Sequence, residues 1–500
     1  MDTACDREFA EVHDKILRAY RIGRYNEALR VLAGLSPALL EQLSPDYKFY
    51  YYEAVSLSAY MVHNIRLSVE ASENAVVQPV SEGLQGRLIS LYSNYLMYLH
   101  YLPDVGADKM YRAHVHYGEL FAKNRQFQHN YKDCCLGKLR VGYISSDLFD
   151  HVVVNFAVQL WAGYDRNRFE VYLYSLGGTH NETSDWLKQM VDGWHDLEGM
   201  TEAEAADIIY RDDIDILVDL SGHTNGGNGL KVMAYRPSPV QISGLGYFDT
   251  TGLASVDYLL TDNFLDPEGV NDKYFTEKLL RLPRSHFCWT PPKRVLDCRR
   301  KWQIHEPIVF GCFNSFEKIT DEMLFCWKEI LERVPGSRLL LKGRQEYNGW
   351  WEVMAERLKV AGFKQGQVEL RARSMYYLDE YADMDIALDT YPYPGGGTTC
   401  DALYMGVPVI TFYGSRHGSR FGYSLLANLG LDELAAPDMA GYVERAVALA
   451  DSPELLNALH ARLREMMRQS PLMDAKGYVR EVEEAYIRAW EEKQASLKKA

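Results

Sequence analysis

The chain has 500 residues, 47% of them hydrophobic and 25% charged, with a formal net charge of −15. One hydrophobic core stops growing at roughly 250–300 residues, so more than one domain is expected. The acidic balance excludes wholesale nucleic-acid binding, because no surplus of phosphate-neutralising side chains exists; an anionic substrate would still need a local basic site.

Eight cysteines (Cys5, Cys134, Cys135, Cys288, Cys298, Cys312, Cys326 and Cys400) are scattered, with no CxxC pair and no histidine at metal-ligand spacing. That suits free thiols in a reducing compartment rather than a disulfide frame or a metal site. The first residues, MDTACDREFAEV, lack a basic-then-apolar run, and no apolar stretch approaches the ~20 residues of a membrane helix. A cytoplasmic chain without membrane insertion is expected, and the sequon at Asn181 reads as accidental.

Residues 1–135 read as all helix. RAYRIGRYNEALRVLAGL (18–35) spaces Tyr20, Ile22, Ala28, Leu29 and Leu32 helically, and Gly23, Tyr25 and Ala28 suit a degenerate tetratricopeptide-like helix pair. A plain helical bundle fits nearly as well. The tyrosine-rich LISLYSNYLMYLHYLP reads either as a peptide-binding surface or as core against the next domain.

From 138 the rhythm changes. KLRVGYIS, FEVYLYSL, DILVDLSG, VQISGLGY and VDYLLTD are short apolar runs separated by helical patterns, which implies a parallel sheet covered on both faces. After PRSHFCWTPPKR the rhythm restarts with IVFGCFN, SRLLLKG, QVELRA, DIALDTYPY and PVITFYG. The expected class is α/β: a helical region (1–135), two doubly wound Rossmann-like domains (136–300 and 301–475), and a C-terminal helix and tail (476–500) with a frayed charged end.

In such sheets, ligands bind beyond the carboxyl ends of the strands. PYPGGGTTCDALYMG occupies that place in the second domain. Gly395, Gly396 and Gly397 would turn with positive φ and let a ligand approach main-chain amides. Thr398 or Thr399 would cap the following helix, whose N-terminus is a ready anion site. Asp401 suits a dipole-favoured carboxylate or hydrogen bonds to a ribose diol. A tight turn without any ligand fits the same residues, and neither a Walker loop nor GxGxxG is present. FNSFEKIT puts Asn314 and Lys318 in another strand-to-helix loop, so the two loops together would make a diphosphate cradle needing no metal. In the first sheet, GYISSDLFDHVVVNF and DLSGHTNGG place His151 and His223 at strand ends, each a candidate base or an ordinary capping or loop residue. His417 and Arg420 follow a further strand and would line the same cleft.

Together LRVGYISSDLFDHVVVNF, DILVDLSGHT, YRPSPVQISGLGYFDTTG, DYLLTD, FNSFEKIT, DIALDTYPYPGGGTTCDALYMGVPVITF and GSRFGYSLLANLG resemble the protein O-linked N-acetylglucosamine transferase family, most closely its bacterial SPINDLY-like branch. The ordered blocks run from about residue 88 to about residue 470. The resemblance implies a two-Rossmann (GT-B) glycosyltransferase that moves N-acetylglucosamine from UDP-GlcNAc to Ser/Thr hydroxyls of a protein, with inversion and without metal or other cofactor. It implies Lys318 and the 396–398 segment on the diphosphate, Asp401 on the ribose, His151 beside the sugar as a possible base, and His223 in a block shared with bacterial members. Helical repeats imply a polypeptide acceptor, with flagellin or another surface protein as a candidate. Departures are Phe248-Asp249 where the family usually has Pro-Gly, a glycine loop without the His-Thr pair of animal members, and Tyr376-Tyr377-Leu378 for Glu-His-Leu, which would leave Tyr377 to stack on uracil. N-glucosyl or O-fucosyl transfer on the same fold, a catalytically silent polypeptide-binding relative, and a cell-envelope polymer enzyme are the alternatives.

Overall fold

The computed structural model describes residues 3–132, 137–224, 228–292, 304–343 and 350–499. Cys134, Cys135 and Cys298, and the expected domain boundaries at 135/136 and 300/301, lie outside them.

The N-terminal region is helical: α1 (Ala4–Arg21), α2 (Tyr25–Ala33), α3 (Pro37–Gln42), α4 (Pro45–Met61), α5 (Ile65–Val76), α6 (Gln85–Leu99) and α7 (Ala107–Glu119). Two helix pairs share one turn design. The amides of Ile22, Gly23 and Arg24 bond the carbonyls of Ala19 and Tyr20, and those of Val62, His63 and Asn64 bond Ala59 and Tyr60 in the same pattern. The turn needs a left-handed residue, supplied by Gly23 (φ 71°) and then by His63 (φ 59°). Close approach of the helices is allowed by buried Ala28 in the first pair and Ser68 in the second, where Ser68 donates to the Ser56 carbonyl at 2.9 Å. Tyr92, Tyr95 and Tyr98 are buried in a cluster shared with Ile144 and Leu217 of the first sheet, so the tyrosine-rich segment is core.

The first sheet contains β1 (Leu139–Ser145), β2 (Phe169–Ser175), β3 (Gly193–Asp196), β4 (Ile216–Asp219), β5 (Val240–Ser243), β6 (Tyr258–Asp262) and β7 (Lys278–Leu282). The second contains β8 (Val309–Cys312), β9 (Arg338–Gly343), β10 (Val368–Ala372), β11 (Ile386–Leu388), β12 (Val409–Phe412) and β13 (Ala435–Ala436). The orders are β3-β2-β1-β4-β5-β6-β7 and β10-β9-β8-β11-β12-β13, with every pairing parallel. Each sheet therefore reverses its winding once, between β1 and β4 and between β8 and β11, and opens a crevice there. Strands β3, β7 and β13 are the pieces that apolar runs did not announce, being short or only partly buried edges.

The C-terminal helix Ala475–Leu497 returns to the first domain and does not fray as expected. Trp490 and Gln494 are buried, and Gln494 Oε1 accepts from the Lys132 amide at 2.8 Å. Glu483 accepts from the Asp165 amide at 2.7 Å, and Arg284 pairs with Glu481 at 2.6 Å.

Candidate active site

The two crevices face each other. At the second, the loop after β11 is held from below by Asp389, a buried carboxylate that sequence reasoning passed over. Its Oδ1 accepts from the Gly395 amide (2.8 Å), Asn314 Nδ2 (2.9 Å) and the Thr390 amide (2.9 Å), while Oδ2 accepts from Thr411 (2.9 Å). The signal was an aspartate directly after a buried strand in DIALDT, where loop amides and neighbouring side chains must satisfy it.

None of the three glycines has positive φ, contrary to expectation. Two are required by close approach instead. A Cβ on Gly395 would lie 2.7 Å from Thr399 Oγ1 and 2.9 Å from Asn314 Oδ1, and one on Gly397 would lie 2.5 Å from Val152 Cγ2 of the first domain. Gly396 faces open space. The following helix, Gly397–Tyr404, is capped by Gly396 with no side-chain bond. The expected threonine cap is absent because Thr398 and Thr399 lie inside the helix, after Gly396 at the cap position, and Thr399 donates back to the Gly395 carbonyl at 3.0 Å. The amides of the first turn are thus left without a capping oxygen, as an anion site requires.

Lys318, in the short turn Phe316–Lys318, donates to the Pro394 carbonyl at 3.0 Å and lies 3.6 Å from the Tyr393 ring centroid. Burial pulls its ammonium down to about 8, against the attraction of Asp389. Asn314 is buried, with Nδ2 engaged and Oδ1 unpartnered. Asp401 is the fifth residue of its helix and is buried, and burial raises its carboxyl to about 7. It is therefore not the dipole-stabilised carboxylate expected. The Tyr377 hydroxyl bonds it, which fixes the tyrosine beside Asp401.

Across the gap, His151 caps helix α8 (Val152–Ala162): its Nδ1 accepts from the Val153 amide at 3.4 Å, with Asp147 Oδ2 4.0 Å away. An accepting Nδ1 leaves the proton of the neutral ring on Nε2, so the ring's free edge is a hydrogen-bond donor. His223 corrects the expectation of a second candidate base. It is fully buried; Nε2 donates to the Thr251 carbonyl at 3.1 Å and Nδ1 accepts from Ser93 at 2.8 Å. Burial holds it well below the usual imidazole range, so it joins the helical region to the first sheet and has no lone pair for a substrate.

His417 and Arg420 are engaged by groups of the first domain. His417 Nδ1 bonds Asp266 Oδ2 at 2.5 Å and Arg420 donates to the Phe264 carbonyl at 2.8 Å, while Ser424 donates to Asp262 at 2.8 Å. Burial works to lower His417, but the Asp266 carboxylate outweighs it and the imidazole is raised. These bonds seam the two domains together.

Two parallel-sheet domains with facing crevices, one carrying an uncapped helix mouth and a lysine, define a GT-B fold. The model of glycosyl transferase family 41 matches residues 118–290 and 288–482, and the chain belongs to that family. It is 36% identical over 408 residues to a probable UDP-N-acetylglucosamine–peptide N-acetylglucosaminyltransferase SPINDLY of Solanum lycopersicum, covering 79% of this chain and 44% of the relative. It is 30% identical over 369 residues to the corresponding SEC protein of Arabidopsis thaliana, covering 71% of this chain and 37% of that one. The chain thus spans less than half the length of these relatives. A solved structure of a Thermobaculum terrenum O-GlcNAc transferase mutant superimposes with a TM-score of 0.76 at 28% identity, covering 99% of this chain and 100% of that one.

Proposed function

We propose that this chain is an inverting glycosyltransferase that moves N-acetylglucosamine from UDP-N-acetylglucosamine to serine or threonine hydroxyls of a polypeptide, without a metal ion. The observation that carries it is the pairing of Lys318, poorly solvated, with the uncapped mouth of helix 397–404. In a direct displacement, the acceptor oxygen bonds the anomeric carbon as the bond to UDP breaks, and negative charge builds on the diphosphate. Donors aimed there gain most in the transition state. Lys318 and the amides of residues 397–399 take that charge, the unpartnered Asn314 Oδ1 accepts from ligand or water, and Asp401 accepts from a ribose hydroxyl. His151 donates from Nε2 to the sugar or diphosphate, so the acceptor's proton leaves to water or to a donor phosphate oxygen. The names of the related proteins support the sugar and the polypeptide acceptor; no observation singles out flagellin. A cytoplasmic location is part of this proposal; among the described residues no helix is long and apolar enough to cross a membrane.

Fucosyl transfer from GDP-fucose is the competing reading, because Tyr376-Tyr377-Leu378 stands where family members usually carry Glu-His-Leu on the base side. Calorimetry with UDP and GDP, followed by intact mass of candidate acceptors after incubation with each nucleotide-sugar, tests both. UDP binding and an added N-acetylhexosamine are expected. A preference for GDP, or a deoxyhexose adduct, overturns the proposal in favour of fucose.

A further inference from the structure

Two contacts bring the facing loops together. Val152 meets Gly397 where β1 and β11 end, and Phe248 meets Gly418 beyond β5 and β12, where a Cβ on Gly418 would lie 2.7 Å from Phe248 Cδ2. Adjacent strands lie about 4.8 Å apart, and β12 neighbours β11 while β5 is two strands from β1. The second contact therefore lies roughly 5–10 Å along the sheets from the first, on the same side of the cleft.

Arg416 and Asp249 flank this second contact. Arg416 Nη1 is buried and has no hydrogen-bond partner. The guanidinium lies within electrostatic reach of Asp249, Tyr391 and Tyr247. Asp249 is 6% exposed; Oδ1 accepts from the adjacent Thr250 amide, and Oδ2 has His100 Nε2 at 3.9 Å. Burial, with Arg416 adding, keeps His100 neutral, so it does not offset that carboxylate. Two opposite charges are thus held close without closing into an ion pair, an arrangement that is costly unless a further group completes it. A hydroxyl completes both at once, accepting from the guanidinium and donating to the carboxylate. The helical region covers the place: the His100 ring packs on Phe248 (centroids 4.6 Å apart) and Tyr101 on Tyr393 (5.5 Å). An enclosed spot suits a single ring of fixed size better than a running polypeptide.

We propose that Arg416 and Asp249 together bind a hydroxyl of the transferred sugar and so select which nucleotide-sugar is used. This rests on reading the cleft as a nucleotide-sugar site.

The test measures kcat/KM for UDP-N-acetylglucosamine, UDP-glucose, UDP-galactose and GDP-fucose, together with UDP affinity by calorimetry, for the wild type, Arg416→Gln, Arg416→Lys and Asp249→Asn. Each variant is expected to lose about tenfold or more with the preferred donor and to flatten the ranking of donors. UDP affinity is expected to stay within about twofold of wild type, because the diphosphate site is untouched. Arg416→Lys keeps a cation in place for folding yet loses the guanidinium fork, so it should show the same flattening. An unchanged donor ranking with UDP binding retained overturns the proposal. So does a rise confined to the acceptor KM, which would give the pair to the polypeptide. Failure of the wild-type chain to bind either UDP or GDP would remove the reading of the cleft itself, and this proposal with it.

Discussion

The two crevices of this molecule have the same winding and opposite fates. At the second, between β8 and β11, the polar groups are left incomplete: an uncapped helix mouth, an unpartnered Asn314 oxygen and a partly desolvated Lys318. At the first, between β1 and β4, the helical region packs over the strand ends, with Ser93 on His223, and His100 and His114 both on the Tyr247 hydroxyl, although Asp219 Oδ1 stays buried and unpartnered there. Topology makes two crevices, and what packs over each decides which of its side chains stay free to meet a ligand. Incomplete hydrogen bonding at a strand end, beside an uncapped helix mouth and a lysine, points to a ligand, because native proteins satisfy most buried polar groups.

The largest effect that would sharpen this contrast is at Lys318. Lys318→Ala should cut the transfer rate by ~10²–10³ with the circular dichroism spectrum unchanged; more than about a tenth of the activity remaining would put the lysine outside the reaction. His223→Ala should do the reverse. It removes a satisfied buried group and lowers unfolding free energy by about 2–4 kcal/mol in thermal or denaturant melts, while the protein that stays folded keeps its UDP affinity. A stable His223→Ala protein with no activity would erase the distinction between the crevices.

The glycines separate packing from binding on a smaller scale. Gly397→Ala drives a Cβ into Val152 and should cost about 1–3 kcal/mol of stability. Gly396→Ala meets nothing in the free protein, so its melting temperature should hold while UDP binding weakens. Equal loss of stability in both would show that the loop is merely tightly packed.

The smallest effects are in pH. Lys318 is lowered from 10.5 to about 8, so between those values the unfolded chain holds the extra proton and this group's contribution to stability rises with pH. UDP affinity should instead fall as pH climbs through about 8, when the ammonium discharges, and Lys318→Ala should flatten that fall. Asp401 is raised from 3.8 to about 7, so the folded state holds the extra proton between them and the stability it contributes is lost as pH rises through 7. Asp401→Asn should therefore raise the melting temperature at pH 8 and leave it nearly unchanged below pH 4, while weakening UDP at both.

Much of this was legible in the chain. The strand runs at 138–145 and 409–412 announced parallel sheets because strands buried on both faces must be apolar throughout. Lys318 and the glycine stretch stood out because each lies in a loop leaving a strand. Asp389 was missed because its partners, Gly395, Asn314 and Thr411, come from three separate segments. The turn of the second helix pair was harder to read than the first, because His63 stands where the first has Gly23, and a left-handed histidine is not a pattern that periodicity reveals.

The sequence by itself determined the layers, because periodicity of apolar residues is a local property that dictates which face of each element is buried. It also determined the family, through blocks quoted at matching order. Only the tertiary structure decided the roles of the histidines and arginines. A side chain at a strand end becomes a ligand contact, a seam or a core bond according to what approaches it from elsewhere: Ser93 for His223, Asp266 for His417, and an unclosed gap to Asp249 for Arg416. Those partners lie far away along the chain, and hydrogen-bond completion is settled only when the domains meet.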